Sequence, residues 1–315
     1  MPPVGQLHID SALSNLSVKY RNTANIWPEV LPVIPVKKRS DKYFVYNKAD
    51  SFTLADDTVF PKAMPNEMDW GTSTGNYSVT DHAMADWLPE EVIENADTPL
   101  QPEVDTNDYL NNLLDVAEEN RVAALVFNSA NYATGNSETL SGTSQWSNTN
   151  STPISDIQNA IESCFGPDGR ANVLVMGIDT WKALRIHPQI LDAVKAATRL
   201  QGAGGGVATR DEVATLFEVS KILVGRARYN EAKQGQTPSF ARLWGKSLAA
   251  LYVDPDPGIR SIMFGCTFVE MQRQTQRWFD PRRGVKGAHY LKVAWNSAEA
   301  VIAGDCGYLI GAATA

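Results

Sequence analysis

One long stretch without glycine or proline, from Asp105 to about Tyr132, constrains this chain more than any other feature. Asp105 or Thr106 can cap the N-terminus of a helix there. Apolar residues then recur at the i, i+3, i+4, i+7 spacing of a single helical stripe: Leu110, Leu113, Leu114, Ala117, Ala124 and Leu125. At 1.5 Å per residue the stretch predicts a helix of about 40 Å, well beyond the typical length.

The two halves of this predicted helix differ in composition. The first half carries carboxylates that are expected on its solvent side, namely Asp108, Asp115, Glu118 and Glu119. The second half, 122–127, is apolar nearly all round and should be buried. The helix is either the spine of an extended protein or a long core helix of an ordinary α+β enzyme, and this segment alone favours neither.

The residues before the helix are predicted to extend away from a compact core. Residues 1–36 carry three prolines within eight positions, Pro28, Pro32 and Pro35, among apolar residues, which indicates an extended arm that packs on something else. Two strand candidates at 43–46 and 76–80 are joined by a long connection with little periodicity. Connections of that length are uncommon inside compact domains, so the pattern predicts a β-rich extended loop.

Charge is unevenly distributed along the chain, whose net charge is −8. An acidic chain is a poor candidate for direct nucleic-acid binding. Eight Lys or Arg lie between 19 and 62, whereas 63–120 holds fourteen acids and no Lys or Arg. Such segregation is either a solvated face or an attraction between neighbouring copies. The candidates for contacts between subunits are Lys37, Lys38, Arg39, Lys42, Glu90, Glu91, Glu94, Arg282 and Arg283.

The second half of the chain alternates strand and helix patterns from 153 to 253, which predicts one mixed α/β module. Thr209 and Glu212 have the spacing of a capping box at the start of one of its helices. Residues 262–279 and 288–296 then predict a long hairpin across a basic connection. Residues 300–310 are apolar and predict a last strand.

The search for chemistry predicts no catalytic residue, metal site or cofactor. Ser73 lies in a G-x-S-x-G pattern, but that motif requires a following helix, and 76–79 is strand-like. The glycine-rich 202–206 stretch fails both phosphate-binding patterns. The four histidines and three cysteines are scattered, without metal-ligand or disulfide spacing. No apolar run approaches the roughly 18 residues of a membrane span, and the N-terminus does not resemble a signal peptide. The chain is therefore expected to be cytosolic and soluble.

Several segments, in their order along the chain, resemble the tailed-bacteriophage major capsid proteins. They are LSNLSVKYRN at 13–22, VIPVKKRSDKYFVYNKAD at 33–50, EEVIENAD with the following PL at 90–100, WKALRIHP at 181–188, and residues 209–224. The resemblance implies the α+β fold of Hong Kong 97-like capsid proteins. Its parts would be an N-terminal arm (1–36), an extended loop (37–82), a peripheral domain with the spine helix (83–152), an axial domain (153–259), a long peripheral β-hairpin (260–299) and a C-terminal strand returning to the axial domain (300–315).

The function that the resemblance implies is structural. The chain would be the subunit of an icosahedral head that encloses double-stranded DNA, assembling into hexamers and pentamers in the cytoplasm of the host bacterium, without membrane contact. Because the arm begins within some 15 residues of Met1, a separate scaffolding protein is expected, together with a portal protein; a decoration protein is left open. Some relatives cross-link Lys to Asn, and Lys48, Lys62 and Asn296 are the right residue types, but no motif assigns them.

Two other functions stay open at this point. An encapsulin-type shell would share the fold but enclose cargo proteins instead of nucleic acid. A serine hydrolase using Ser73 would be a soluble enzyme that forms no shell. Particle size separates the hydrolase from a shell, and the contents of native particles separate the two shells.

Overall fold

The computed structural model describes residues 25–46, 50, 52–69, 71–96, 100–198, 206–233, 235–258 and 262–315. The predicted arm before residue 25, and Lys48, lie outside the described residues.

The helices are α1 Trp27–Val30, α2 Glu90–Glu94, α3 Pro102–Val126, α4 Pro153–Glu162, α5 Ile178–Leu184, α6 Pro188–Thr198 and α7 Arg210–Leu216. Strands occupy β1 Val33–Pro35, β2 Ser40–Tyr46, β3 Thr72–Ser78, β4 Thr80–Pro89, β5 Ser137–Thr139, β6 Val173–Gly177, β7 Lys221–Gly225, β8 Arg228–Asn230, β9 Phe240–Arg242, β10 Leu248–Leu251, β11 Gly265–Val269, β12 Gln274–Asp280, β13 Ala288–Val301 and β14 Gly307–Gly311.

The predicted long helix is confirmed as α3, with bounds that differ from the prediction at both ends. It begins at Pro102, because proline at the first helical position lacks only an N–H that the first turn would leave unpaired. The expected caps, Asp105 and Thr106, therefore lie inside the helix. The helix ends at Val126, and a separate 3-10 turn, Ser129–Asn131, follows before the predicted end.

A sheet built around β13 packs on the first half of α3. β13 pairs antiparallel with β4 on one side and with β12 on the other, and its end pairs with β11. β1 adds to β11 in parallel. Leu88, Leu291 and Val293 from this sheet pack against Leu110 and Leu114 of α3. Of the apolar stripe predicted from the sequence, only Leu110 and Leu114 are buried against this sheet; Leu113, Ala117 and Leu125 are half-buried, and Ala124 is exposed, contrary to the prediction.

The single long strand expected at 262–279 is wrong, because two strands, β11 and β12, are separated by a turn at 270–273. Asn296 of β13 holds that turn. Its Oδ1 accepts from the backbone N–H of Glu270 at 3.1 Å and of Met271 at 2.6 Å, and its Nδ2 donates to the Glu270 carboxylate at 2.6 Å. One buried side chain therefore satisfies backbone groups that the interrupted ladder would leave unpaired.

The second sheet has the order β5-β14-β10-β6-β7, with α4 to α7 contributing to the core on one of its faces. The parallel pair β6–β7 is connected through helices, as parallel strands require. The predicted capping box at the start of α7 is confirmed, since Thr209 and Glu212 exchange hydrogen bonds. The last strand expected at 300–310 is instead the end of β13, a 3-10 turn at Gly304–Cys306, and β14.

The second half of α3 belongs to the core on the other face of this second sheet. Val122 and Val126 of α3 and Trp27 and Val30 of α1 cluster with apolar residues of β6, β7, β10 and β14. The long helix therefore joins both sheets, one to each half of its length. No helix in the described ranges combines the length and the apolar character that a membrane crossing requires.

Candidate assembly surfaces

The loop between β2 and β3 leaves large apolar side chains uncovered. The two strands pair antiparallel over their whole length. Between them, the exposed fractions of the largest apolar residues are Phe52 71%, Leu54 99%, Phe60 75%, Met64 86% and Met68 61%. Covering apolar surface yields about 25 cal/mol per Å², and a run of this kind on a folded chain marks an interaction surface. This loop can therefore bury a large area against another chain.

The four basic candidates at the base of this loop are divided between paired and unpaired groups. Lys38 donates to Asp41 at 2.8 Å, and Arg39 lies 2.5 Å from the carboxylate of Asp81 on β4. The hydrogen bond from Arg39 is the main reason that the pKa of Asp81 lies below its usual range. Lys37 and Lys42 are exposed and form no ion pair with any described residue. Two of the four cations thus already have partners within their own chain.

The acidic candidates of α2 are likewise partly paired within the chain. His289 Nε2 lies 2.7 Å from the carboxylate of Glu90, and Lys286 pairs with Glu94. The hydrogen bond that Lys286 donates to Glu94 is the main reason that the pKa of Lys286 is raised. Glu91 is exposed and has no ion-pair partner among the described residues. These contacts tie α2 to the β12–β13 hairpin.

The two arginines of the connection between β12 and β13 differ from each other in their contacts. Arg283 stacks over the ring of Trp87, 4.3 Å from its centroid, as in a cation–π interaction. The backbone N–H of Arg282 donates to Asp280, while its side chain is exposed without an ion pair among the described residues. Trp87 also packs on Tyr290, which in turn packs on Trp278. The structure therefore brings Arg283, but not Arg282, into an ordered contact within the chain.

Glu119 overturns the expectation of a solvated acidic face, because it is fully buried. Its carboxylate accepts from the backbone N–H of Ile26 at 3.1 Å and of Trp27 at 2.9 Å, and from the indole N–H of Trp244 at 2.5 Å. Burial raises the pKa of Glu119, and the three donors partly oppose that shift. One carboxylate of the long helix thus joins α1 to the loop that follows β9.

Glu118 is also fully buried, contrary to the same expectation. It pairs with Arg121 one turn along α3, and Arg121 also lies 3.4 Å from Glu299 of β13. The other carboxylate oxygen of Glu118 is buried and makes no hydrogen bond with the described residues. Glu118 is covered where β13 packs on α3, and Glu119 is covered by α1 and the loop that follows β9.

The described residues show no arrangement suited to nucleophilic or metal chemistry. Ser73 lies inside β3, where its hydroxyl donates to the carbonyl of Val45 at 3.3 Å, so the strand–turn–helix geometry of a nucleophile elbow is not formed. No cluster of three potential metal ligands occurs in the described part of the chain. All three cysteines are buried, and burial raises the pKa of Cys266 to about 12. These thiols are packing groups and not nucleophiles.

Similarity to known proteins decides between the functions that the sequence left open. No family model matches the chain. The major capsid protein of Pseudomonas phage JBD67 is 34% identical over 308 residues, which cover 98% of this chain and 97% of that protein. This chain belongs to the family of phage major capsid proteins. The prediction of a structural capsid subunit is confirmed, and an encapsulin-type shell is not favoured.

Similar solved structures identify the fold of the capsid protein. A phage-related protein from Bordetella bronchiseptica has a TM-score of 0.70 at 24% identity, with 93% of each chain covered. The capsid of cyanophage P-SCSP1u has a TM-score of 0.64 at 10% identity, covering 97% of this chain and 93% of that one. The α+β Hong Kong 97-like fold is therefore confirmed. As a capsid subunit, the protein assembles with copies of itself into a shell and resides in the virion.

Two features of the capsid protein are absent from the sequence-based predictions. The burial of Glu119 leaves no local signal, since its donors come from distant segments. The basic segment 226–246 does have a signal, because a charge count over a short window finds it.

Asn296, a cross-link candidate by residue type, is 2% exposed, and its side-chain amide is hydrogen-bonded inside the fold.

Proposed function

We propose that this subunit forms hexamers and pentamers of an icosahedral head, and that the loop after β2 covers a neighbouring copy. The observation that carries the proposal is the row of exposed apolar side chains between residues 52 and 68. A monomer would leave this row in water, whereas a shell gives every copy a neighbour that can bury it.

The parts expected from the resemblance form the frame of this proposal. Residues 1–36 act as the arm, 37–82 as the extended loop, 83–152 and 260–299 as the peripheral domain, and 153–259 with 300–315 as the axial domain. The second sheet supports the last grouping, because β14 pairs with β10 inside it. Lys37, Lys42, Glu91 and Arg282, which lack ion pairs with the described residues, are the charged groups that we assign to contacts between subunits.

The proposed setting is the cytoplasm of the host, where the subunits assemble with a scaffolding protein and a portal protein around double-stranded DNA. We also propose that no residue of the chain is catalytic. The position of Ser73 within a strand supports this. Turnover of a generic ester that disappears in Ser73→Ala would contradict it.

Expression of the full chain and electron microscopy of the product test the assembly proposal. The triple variant Leu54→Ser, Phe60→Ser, Met64→Ser should fold with an unchanged urea midpoint and yet form no shells or tubes, because these side chains contribute little to the core of the isolated subunit. The matched control, Leu54→Met, Phe60→Leu, Met64→Leu, keeps apolar surface at the same positions and should assemble. Normal particles from the serine variant would refute the proposed role of the loop.

A further inference from the structure

The segment 226–246 is strongly basic within an acidic chain. It holds five cations, Arg226, Arg228, Lys233, Arg242 and Lys246, and one acid, Glu231. Its net charge is +4 in a chain of −8, so the rest of the chain carries −12. Overall charge therefore conceals a local patch of the opposite sign.

The hairpin of β8 and β9 concentrates this charge. Its register places Arg228 directly opposite Arg242, and the guanidinium of Arg242 donates to the carbonyl of Arg226 at 3.2 Å. Like charges directly opposite each other in a sheet destabilise the pairing. None of these three arginines forms an ion pair with a described carboxylate, and Glu231 instead accepts from the hydroxyl of Tyr229 at 3.0 Å. The arrangement is thus a set of closely spaced cations without a counter-charge.

The base of this hairpin is fixed firmly in the fold. The backbone N–H of Leu243 donates to the carbonyl of Ala227 at 3.1 Å. The next residue, Trp244, is buried, hydrogen-bonds to Glu119, and packs so closely on Gly225 that no Cβ fits there. The exposed ring of Phe240, at 69%, lies on the same hairpin. The cations are therefore presented from a rigid base, next to an exposed aromatic ring.

We propose that the β8–β9 hairpin binds the phosphate backbone of double-stranded DNA without sequence preference, an inference that rests on the proposed function as a DNA-filled shell. Arginine forks match phosphate oxygens, and a polyanion relieves the repulsion between Arg228 and Arg242 while releasing its own counterions.

An acidic surface of a second copy is the competing occupant, and the structure favours it less. Several carboxylates of the acidic segment already have cationic partners in their own chain: Asp81, Glu90, Glu94, Glu103 and Asp115. That segment of a neighbour therefore offers fewer unpaired acids than its fourteen carboxylates suggest, whereas every nucleotide of DNA offers a phosphate.

The test measures binding of the full-length subunit to a fluorescent duplex of mixed sequence, by anisotropy over a series of salt concentrations. Arg228→Gln with Arg242→Gln should weaken binding at least tenfold at about 50 mM salt, and make the slope of log K against log salt shallower by about 2, at about 0.9 per phosphate contact. The control, Lys182→Gln with Lys195→Gln, removes the same charge from exposed helical positions and should bind as the unaltered subunit does. Arg228→Lys with Arg242→Lys keeps the charge and should retain most of the slope.

The outcomes separate the hypotheses. If the hairpin and control variants lost DNA affinity equally, binding would depend on net charge and not on the hairpin. If the unaltered subunit did not bind the duplex, the hairpin would not be a DNA-binding surface. Either result overturns the proposal. A hairpin variant that binds DNA normally but no longer forms particles would assign the surface to a second copy instead. Particle formation by the unaltered subunit is scored separately, so failure of the assembly proposal is visible on its own.

Discussion

Replacing Glu119 with alanine should loosen the attachment of α1 to the long helix. The carboxylate accepts three hydrogen bonds, from the amides of Ile26 and Trp27 and from the indole of Trp244, which lie 93, 92 and 125 residues away in the chain. Alanine leaves all three donors without this acceptor, and those of Trp27 and Trp244 are buried whereas that of Ile26 is partly buried. Each unpaired buried donor costs about 1–3 kcal/mol, so the two buried donors together give a loss of about 3 kcal/mol.

That loss is a large part of the roughly 5–15 kcal/mol that stabilises a typical protein. Urea denaturation of the unassembled subunit, followed by tryptophan fluorescence, gives the loss of unfolding free energy. Hydrogen exchange of the Ile26 and Trp27 amides locates it, and about 3 kcal/mol corresponds to roughly hundredfold faster exchange, since 1.4 kcal/mol is a factor of ten. Glu119→Gln keeps one acceptor oxygen and should lose less than alanine.

The matched control is Glu162→Ala, which removes an exposed carboxylate from the last turn of α4. It should change the unfolding free energy by less than about 0.5 kcal/mol, as surface substitutions usually do. If Glu119→Ala were as stable as this control, with the Ile26 and Trp27 amides still protected, the carboxylate would not be an anchor.

Three further substitutions or conditions test the same physical reasoning. Burial raises the pKa of Glu119, so the native state keeps its proton to a higher pH than the unfolded state does. The resulting stabilisation is complete below the ordinary glutamate range and falls as pH rises through the native pKa. The difference in unfolding free energy between the unaltered protein and Glu119→Gln should fall with pH in the same way. Asn296→Ala should cost about 2 kcal/mol in urea unfolding, because two amides of the turn between β11 and β12 lose their acceptor. Gly225→Ala should cost about 1–3 kcal/mol by thermal or urea unfolding, because its Cβ would overlap the Trp244 ring.

Each of these expectations has an opposite result that would refute it. A difference between the unaltered protein and Glu119→Gln that rises or stays flat with pH contradicts the pKa argument. Unchanged stability of Asn296→Ala would show that the turn does not depend on its amide. Gly245→Ala is the control for Gly225, since a Cβ at Gly245 meets open space; equal effects at both positions would reject the packing argument.

The features that could be predicted from the amino-acid sequence are those whose causes are local. The absence of glycine and proline from 105 to 132, together with the apolar stripe, predicted the long helix, and Thr209 with Glu212 predicted a helix start. Propensity, capping and periodicity act over a few residues, so they can be read without knowing the partners. The resemblance to capsid proteins supplied the fold, which local patterns alone would not have distinguished from an ordinary α+β enzyme.

Tertiary structure decided which charged residues are paired and which side of each element is covered. The sequence predicts that Glu118 and Glu119 face solvent, but in the fold two sheets and α1 pack around α3 and bury both. Nothing in the sequence gives Asp81 a partner, but β4 places its carboxylate beside Arg39. The opposition of Arg228 and Arg242 exists only in the register of β8 with β9. Such contacts join residues far apart in sequence, and whether a charge is solvated, paired or left unpaired depends on that arrangement, which no short stretch of sequence contains.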